Sequence, residues 1–127
     1  MLTKIETKDA PAAIGPYSQA IRCGNLLFTS GQIPLDPKTG EIVGSDVATQ
    51  ADVAFKNLGT VLKAGGADFD SVIKTTCFLA DMADFAAFNE VYGRYFTAEP
   101  RAARSTIAAK GLPRGVLCEI EAVAEVK

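Results

Sequence analysis

The stretch from residue 116 to 126 constrains the fold of this chain more than any other. Cys118, Ile120, Ala122, Ala124 and Val126 alternate there with Leu117, Glu119, Glu121, Val123 and Glu125. Successive side chains on a strand point to opposite faces. The first set is apolar and calls for a covering layer. The second mixes glutamates with leucine and valine, which suits neither a dry core nor a plain solvent face. A surface shared between subunits accommodates both, so the pattern predicts an oligomer in which open sheet faces meet.

The remaining elements are spaced to build such a sheet. Residues 18–23 and 26–30 read as strands flanking Gly24-Asn25, a two-residue hairpin signal. A turn-rich loop follows at Asp36-Pro37-Lys38-Thr39-Gly40. Val47, Ala51, Ala54, Phe55, Leu58, Val61 and Leu62 recur at helical spacing, with Ser45 or Asp46 as cap and Gly65-Gly66 as stop. Gly59, inside that helix, points to close packing. Residues 72–80 read as a strand rich in Thr, Val, Ile and Phe. A second helix starts near Met82 or Asp84, carries Phe85, Phe88, Val91, Tyr92, Tyr95 and Phe96 on one side, and ends before Glu99-Pro100. Residues 105–109 and 116–126 supply the last strands. The order ββ–α–β–α–ββ predicts an α+β domain, a sheet of about six strands with both helices on one face.

At 127 residues and 13.4 kDa the chain predicts a single domain over 1–127. Thirteen Lys+Arg against fifteen Asp+Glu leave a net charge of −2 with no basic stripe, which argues against nucleic acid as partner. Histidine is absent, so a Ser–His–Asp or Cys–His site is excluded. Cys23, Cys77 and Cys118 form no CxxC, an arrangement that suits reduced thiols better than a disulfide framework or a zinc site. No apolar run approaches the ~18 residues of a membrane span, and residues 1–8 lack a secretory core. These features predict a cytoplasmic protein.

Without histidine, proton transfer falls to carboxylates, tyrosines and lysines. Glu119 and Glu121 share one strand face about 7 Å apart. In a partly dry cleft each would raise the other's pKa; on an outer face both would simply be solvated. Arg104 is either an anchor for a small carboxylic acid, which its fork fits with two parallel hydrogen bonds, or a surface loop arginine. Ser30-Gly31-Gln32 either offers a hydroxyl and amides to a ligand or merely exits a strand. Tyr17 follows the rigid turn Gly15-Pro16. Asn89 interrupts the aromatic stripe and faces a pocket or a neighbouring backbone. Lys74 could form a Schiff base only if buried.

Six segments in register then resemble one family. They are Ala10-Pro11-Ala12-Ala13-Ile14-Gly15-Pro16-Tyr17-Ser18-Gln19, Thr29-Ser30-Gly31-Gln32-Ile33-Pro34, Asp36-Pro37-Lys38-Thr39-Gly40-Glu41, Val72-Ile73-Lys74-Thr75-Thr76, Ala103-Arg104-Ser105 and Cys118-Glu119-Ile120-Glu121-Ala122. Each is weak alone; together they make the chain resemble the reactive-intermediate deaminase (Rid) family, close to its RidA branch, over residues 10–126.

The resemblance implies a chorismate-mutase-like fold and a homotrimer whose sheets form a central barrel, with sites in the clefts between subunits. It implies hydrolysis of enamines and imines such as 2-aminoacrylate and 2-aminocrotonate to 2-keto acids and ammonia, with no cofactor and no metal. These reactive compounds leak from pyridoxal-phosphate enzymes that dehydrate serine and threonine. By the same resemblance Arg104 binds the substrate carboxylate and Glu119 positions water and moves protons. Tyr17, Ser30, Gly31 and Asn89 line the cleft, and Thr106 stands where many relatives carry cysteine. Ala102 replaces a proline frequent in the family. Two rival functions remain at this point: a ribonuclease acting on mRNA, and a non-catalytic chaperone-like or ligand-sensing trimer.

Overall fold

A computed structural model describes residues 1–127. The chain runs β1 (Leu2–Ile5), β2 (Ala20–Cys23), β3 (Leu26–Thr29), α1 (Val47–Ala64), β4 (Val72–Leu79), α2 (Phe85–Tyr95), β5 (Ala103–Ala108) and β6 (Cys118–Glu125). The strands form one six-stranded sheet in the order β1-β2-β3-β6-β4-β5. All neighbours are antiparallel except β4 and β5, which run parallel through the crossover helix α2. This is the mixed α+β sheet with two helices that the element order predicts. No helix is long and apolar enough to cross a membrane.

Local chemistry accounts for the element ends. Cys23 pairs with Leu26 across a two-residue turn, and Gly24 supplies its left-handed φ of 62°. Asp46 caps α1 by accepting a hydrogen bond from the Thr49 N–H at 3.2 Å. The apolar stripe of α1 is fully buried from Ala51 to Leu62. At its centre, Phe55 packs 5.5 Å from Phe88, 5.8 Å from Tyr92 and 5.2 Å from Tyr95, ring centre to ring centre, locking α1 onto α2. A side chain on Gly59 would lie 2.7 Å from the Phe69 ring, so the close approach inferred there is real.

Cys118, Ile120, Ala122 and Ala124 are buried under the helices. The opposite face carries Glu119, Glu121 and Val123, and no element of the chain covers it. Phe28 and Ile107 lie exposed on that side. The mixed face read from the sequence is therefore open in a single chain.

Two differences from the sequence expectation bear on the site. Residues 2–5 form a strand that hydrophobic periodicity does not announce. It lies on the sheet edge with Leu2, Thr3 and Lys4 exposed, and pairing with β2 rather than burial holds it. The fifth strand starts at Ala103, so Arg104 lies inside the strand and not at its start. Its orientation is thus fixed by the β4 register.

Candidate active site

β5 places Thr75 of β4 beside Arg104, and Cys77 beside Thr106. Thr75 and Cys77 are fully buried toward the helices, so Arg104 and Thr106 point to that side as well. The Arg104 guanidinium carbon sits 4.5 Å from the Tyr92 ring centre and 5.6 Å from that of Phe85. Its Nη1 donates to Asn89 Oδ1 at 2.6 Å. No carboxylate oxygen comes within 4.0 Å of it, since the ion pairs of the chain all lie elsewhere. The result is a half-buried cation held by aromatic faces and one amide, with most of its N–H donors free. The Thr106 hydroxyl beside it is buried without a hydrogen-bond partner. Burial pushes the neighbouring Cys77 thiol up to about 11, against the opposing pull of Thr75 and Arg104, so it carries almost no thiolate at neutral pH.

Glu119 and Glu121 stand opposite Phe78 and Thr76 of β4, on the uncovered side. Burial, and secondarily repulsion from Glu121, hold the Glu119 carboxyl above the ordinary carboxylate value. The carboxyl lies directly over Gly31. A methyl group there would overlap Glu119 Oε2 and lie 2.8 Å from its Cδ. Gly31 itself is pinned next to β6, because the Gln32 N–H donates to the Ile120 carbonyl at 2.7 Å and the Ile120 N–H donates back to Gln32 at 3.1 Å. The Ser30 hydroxyl donates to the Ser18 carbonyl at 2.6 Å, tying this corner to the 10–19 loop. Tyr17 projects from that loop, half-exposed, just after Gly15 with φ 127°.

Gly31→Ala has a specific expected outcome. The added methyl forces the Glu119 side chain aside, while the backbone at 31 is free of left-handed strain. A displacement near 1 Å at a catalytic group can cost about a hundredfold in rate. Thermal melts should therefore match the parent within a few degrees; if the Glu119 carboxyl takes part in a reaction, turnover should drop about tenfold to a hundredfold, and equal turnover would exclude it.

The candidate site residues fall into two groups. Arg104, Asn89 and Thr106 belong to the edge formed by β5 and α2. Glu119, Gly31 and Ser30 belong to the open face at the β3–β6 corner, with Tyr17 on the adjoining loop. Arg104 and Glu119, expected to share one gap at a subunit seam, point to opposite faces of their own sheet and do not meet within one chain. A cleft of about 680 Å³ between β1 and the 8–19 loop includes Tyr17 and Ser18 but neither Arg104 nor Glu119. Lys74 is not sequestered; its Nζ donates to Ser105 Oγ at 3.4 Å on an exposed surface, unlike a Schiff-base lysine. Sequence reasoning placed Tyr92 only in the apolar stripe. The signal it carried was a phenol at a buried position, which requires a partner; that partner is Thr75 Oγ1 at 2.9 Å.

A mixed sheet with helices on one side, a guanidinium without a carboxylate partner at one edge and a raised carboxyl on the bare face define an α+β protein of a distinct type. The family model described as Endoribonuclease L-PSP matches residues 7–126. The 2-iminobutanoate/2-iminopropanoate deaminase of Mus musculus is 50% identical over 120 residues, 94% of this chain and 88% of the mouse protein. Reactive Intermediate Deaminase A, chloroplastic, of Arabidopsis thaliana is 51% identical over 120 residues, 94% of this chain and 64% of the plant protein. Among solved structures, E. coli TdcF with bound serine superposes with a TM-score of 0.92 at 43% identity, covering 98% of this chain and 99% of that one. The chain belongs to the L-PSP family, also called the Rid family.

Proposed function

We propose that this protein hydrolyses reactive 2-imino acids, in equilibrium with enamines such as 2-aminoacrylate and 2-aminocrotonate, to 2-keto acids and ammonia, at seams between the copies of a homotrimer. One copy supplies Arg104 with Asn89 and Thr106, and its neighbour supplies Glu119 with Gly31, Ser30 and Tyr17. The observation that carries this reading is the Arg104 fork, stabilised by ring faces and left without a carboxylate partner. A cation so placed attracts a substrate carboxylate with its N–H donors still available. The names of the mouse and plant relatives support the same chemistry. The bare sheet face supports assembly, since Glu119 lies on it together with exposed Phe28 and Ile107.

The chemistry is modest because imines are already electrophilic. The enamine tautomerises to the imine. Water adds to the carbon of the protonated imine while Glu119 accepts one of its protons, giving the neutral aminol. Glu119 returns that proton to the nitrogen, the C–N bond breaks as the C=O bond forms, ammonia leaves, and the remaining hydroxyl proton passes back to Glu119 or to solvent. Binding by Arg104 fixes the imine carbon beside the water, converting an encounter into an oriented step. The raised pKa of Glu119 suits a group that takes a proton and returns it near neutral pH. The function that follows is removal of an intermediate that would otherwise damage pyridoxal-phosphate enzymes.

A coupled assay tests the reading. A serine/threonine dehydratase generates the imine, and keto-acid release is followed with and without catalytic amounts of this protein. Acceleration supports the deaminase; spontaneous rate in both arms overturns it. The family model's description names an endoribonuclease, so a parallel arm incubates the purified chain with RNA. Cleavage that disappears with Arg104→Ala would favour that activity instead.

A further inference from the structure

We propose that the ring face of Tyr92, held in place by its aromatic neighbours, is the positioning group that sets the plane of the Arg104 guanidinium while leaving its donors free for substrate. The inference rests on the carboxylate-binding role given to Arg104 above.

Arginine carries about 2 kcal/mol of rotamer entropy, so an unrestrained fork on an edge strand loses much of its binding strength on ordering. The usual restraint is an ion pair, but a carboxylate partner would occupy the N–H groups that the substrate needs. An aromatic face holds the cation from above and uses no N–H at all. Here the Arg104 guanidinium carbon lies 4.5 Å from the centre of the Tyr92 ring, and Asn89 accepts from Nη1 alone.

The Tyr92 ring is itself immobile. It stacks on Phe96 at 4.3 Å and 20°, and meets Phe55 edge-on at 5.8 Å and 77°. Its hydroxyl pairs with Thr75 Oγ1 at 2.9 Å. Thr75 lies directly beside Arg104 in the parallel register, so the hydroxyl pair ties α2 to the strand adjacent to the arginine. Phe85, more distant at 5.6 Å, makes no hydrogen bond and lacks this anchor.

The experiment separates ring from hydroxyl. Tyr92→Phe keeps the face and strands the Thr75 hydroxyl; it should lower Tm yet leave KM within about twofold. Tyr92→Leu removes the face and should raise KM about tenfold with kcat changed less than threefold, because the carboxylate is held in ground and transition states alike. Tyr92→pentafluorophenylalanine, close in shape but with reversed ring charge, should raise KM as Tyr92→Leu does, and it stands in if the leucine variant does not fold. A purely structural role would make KM track Tm across the series. Parent KM in the fluorinated variant, or an equal rise in Tyr92→Phe, overturns the proposal. The dissociation constant of 2-ketobutyrate, measured by calorimetry on the same variants, should follow the same order. If the parent binds the keto acid but shows no turnover, the deaminase reading fails while the binding series still decides the role of Tyr92. If the parent binds nothing, both fail.

Discussion

On the proposed deaminase function, Arg104→Ala should lower kcat/KM for 2-iminobutanoate by about a hundredfold or more. A hydrogen bond to a charged group contributes about 1.5–3 kcal/mol, and a two-pronged carboxylate contact loses two of them. At about 1.4 kcal/mol per tenfold, the loss exceeds two decades even at the low end. Folding should change little, because Arg104 makes one side-chain hydrogen bond and lies half-buried on an edge strand. The control is an imine without a carboxylate, which parent and variant should hydrolyse at equal rates. Full activity toward the 2-imino acid in a folded variant would sink the assignment, and a parallel loss on the carboxylate-free imine would show that Arg104 acts on the reacting carbon and not on the acid.

Glu119→Gln is expected to lower kcat by about 10²–10⁴, the range that a positioned acid–base group contributes, while the affinity for 2-ketobutyrate stays within about threefold. The amide keeps the shape over Gly31 but accepts no proton. In the parent, kcat should fall as pH drops through the Glu119 pKa, since the protonated carboxyl cannot take the proton of water; that limb should vanish in the variant. Stability moves the other way. Burial raises the folded pKa of Glu119 above its ordinary 4.5, so the folded state disfavours the carboxylate. The penalty is absent below the unfolded pKa and complete above the folded one. The variant should therefore melt higher than the parent at neutral pH and lose this advantage well below pH 4.5. Normal kcat with weakened keto-acid binding would make Glu119 a binding residue instead.

Much of this architecture is legible in the chain. The alternation at 117–126 separates a core face from a mixed one, and the structure buries Cys118, Ile120, Ala122 and Ala124 while leaving the other side uncovered. The stripes of α1 and α2 are equally plain, because burial enforces helical periodicity. β1 is not legible: its four residues are mostly exposed, and only pairing with β2 makes them a strand. Nor does sequence reveal that Arg104 and Glu119 point to opposite faces. That depends on the parallel register of β5 against β4 and the antiparallel register of β6, set by contacts between residues some thirty to fifty positions apart. The bed beneath Arg104 was hidden for another reason. Tyr92 satisfies the apolar pattern of α2, and only its hydroxyl distinguishes it from the phenylalanines around it.

The placement of Arg104 and Glu119 on opposite sides of one sheet has a genetic corollary. In the proposed ring of three, each junction takes its cation from one chain and its acid from the next. Two disabled forms, Arg104→Ala and Glu119→Gln, unfolded and refolded together at equal amounts, would complement. Every ring containing both forms has one junction where the two intact residues face each other, so random mixing restores about a quarter of parental turnover. Refolded separately, neither recovers.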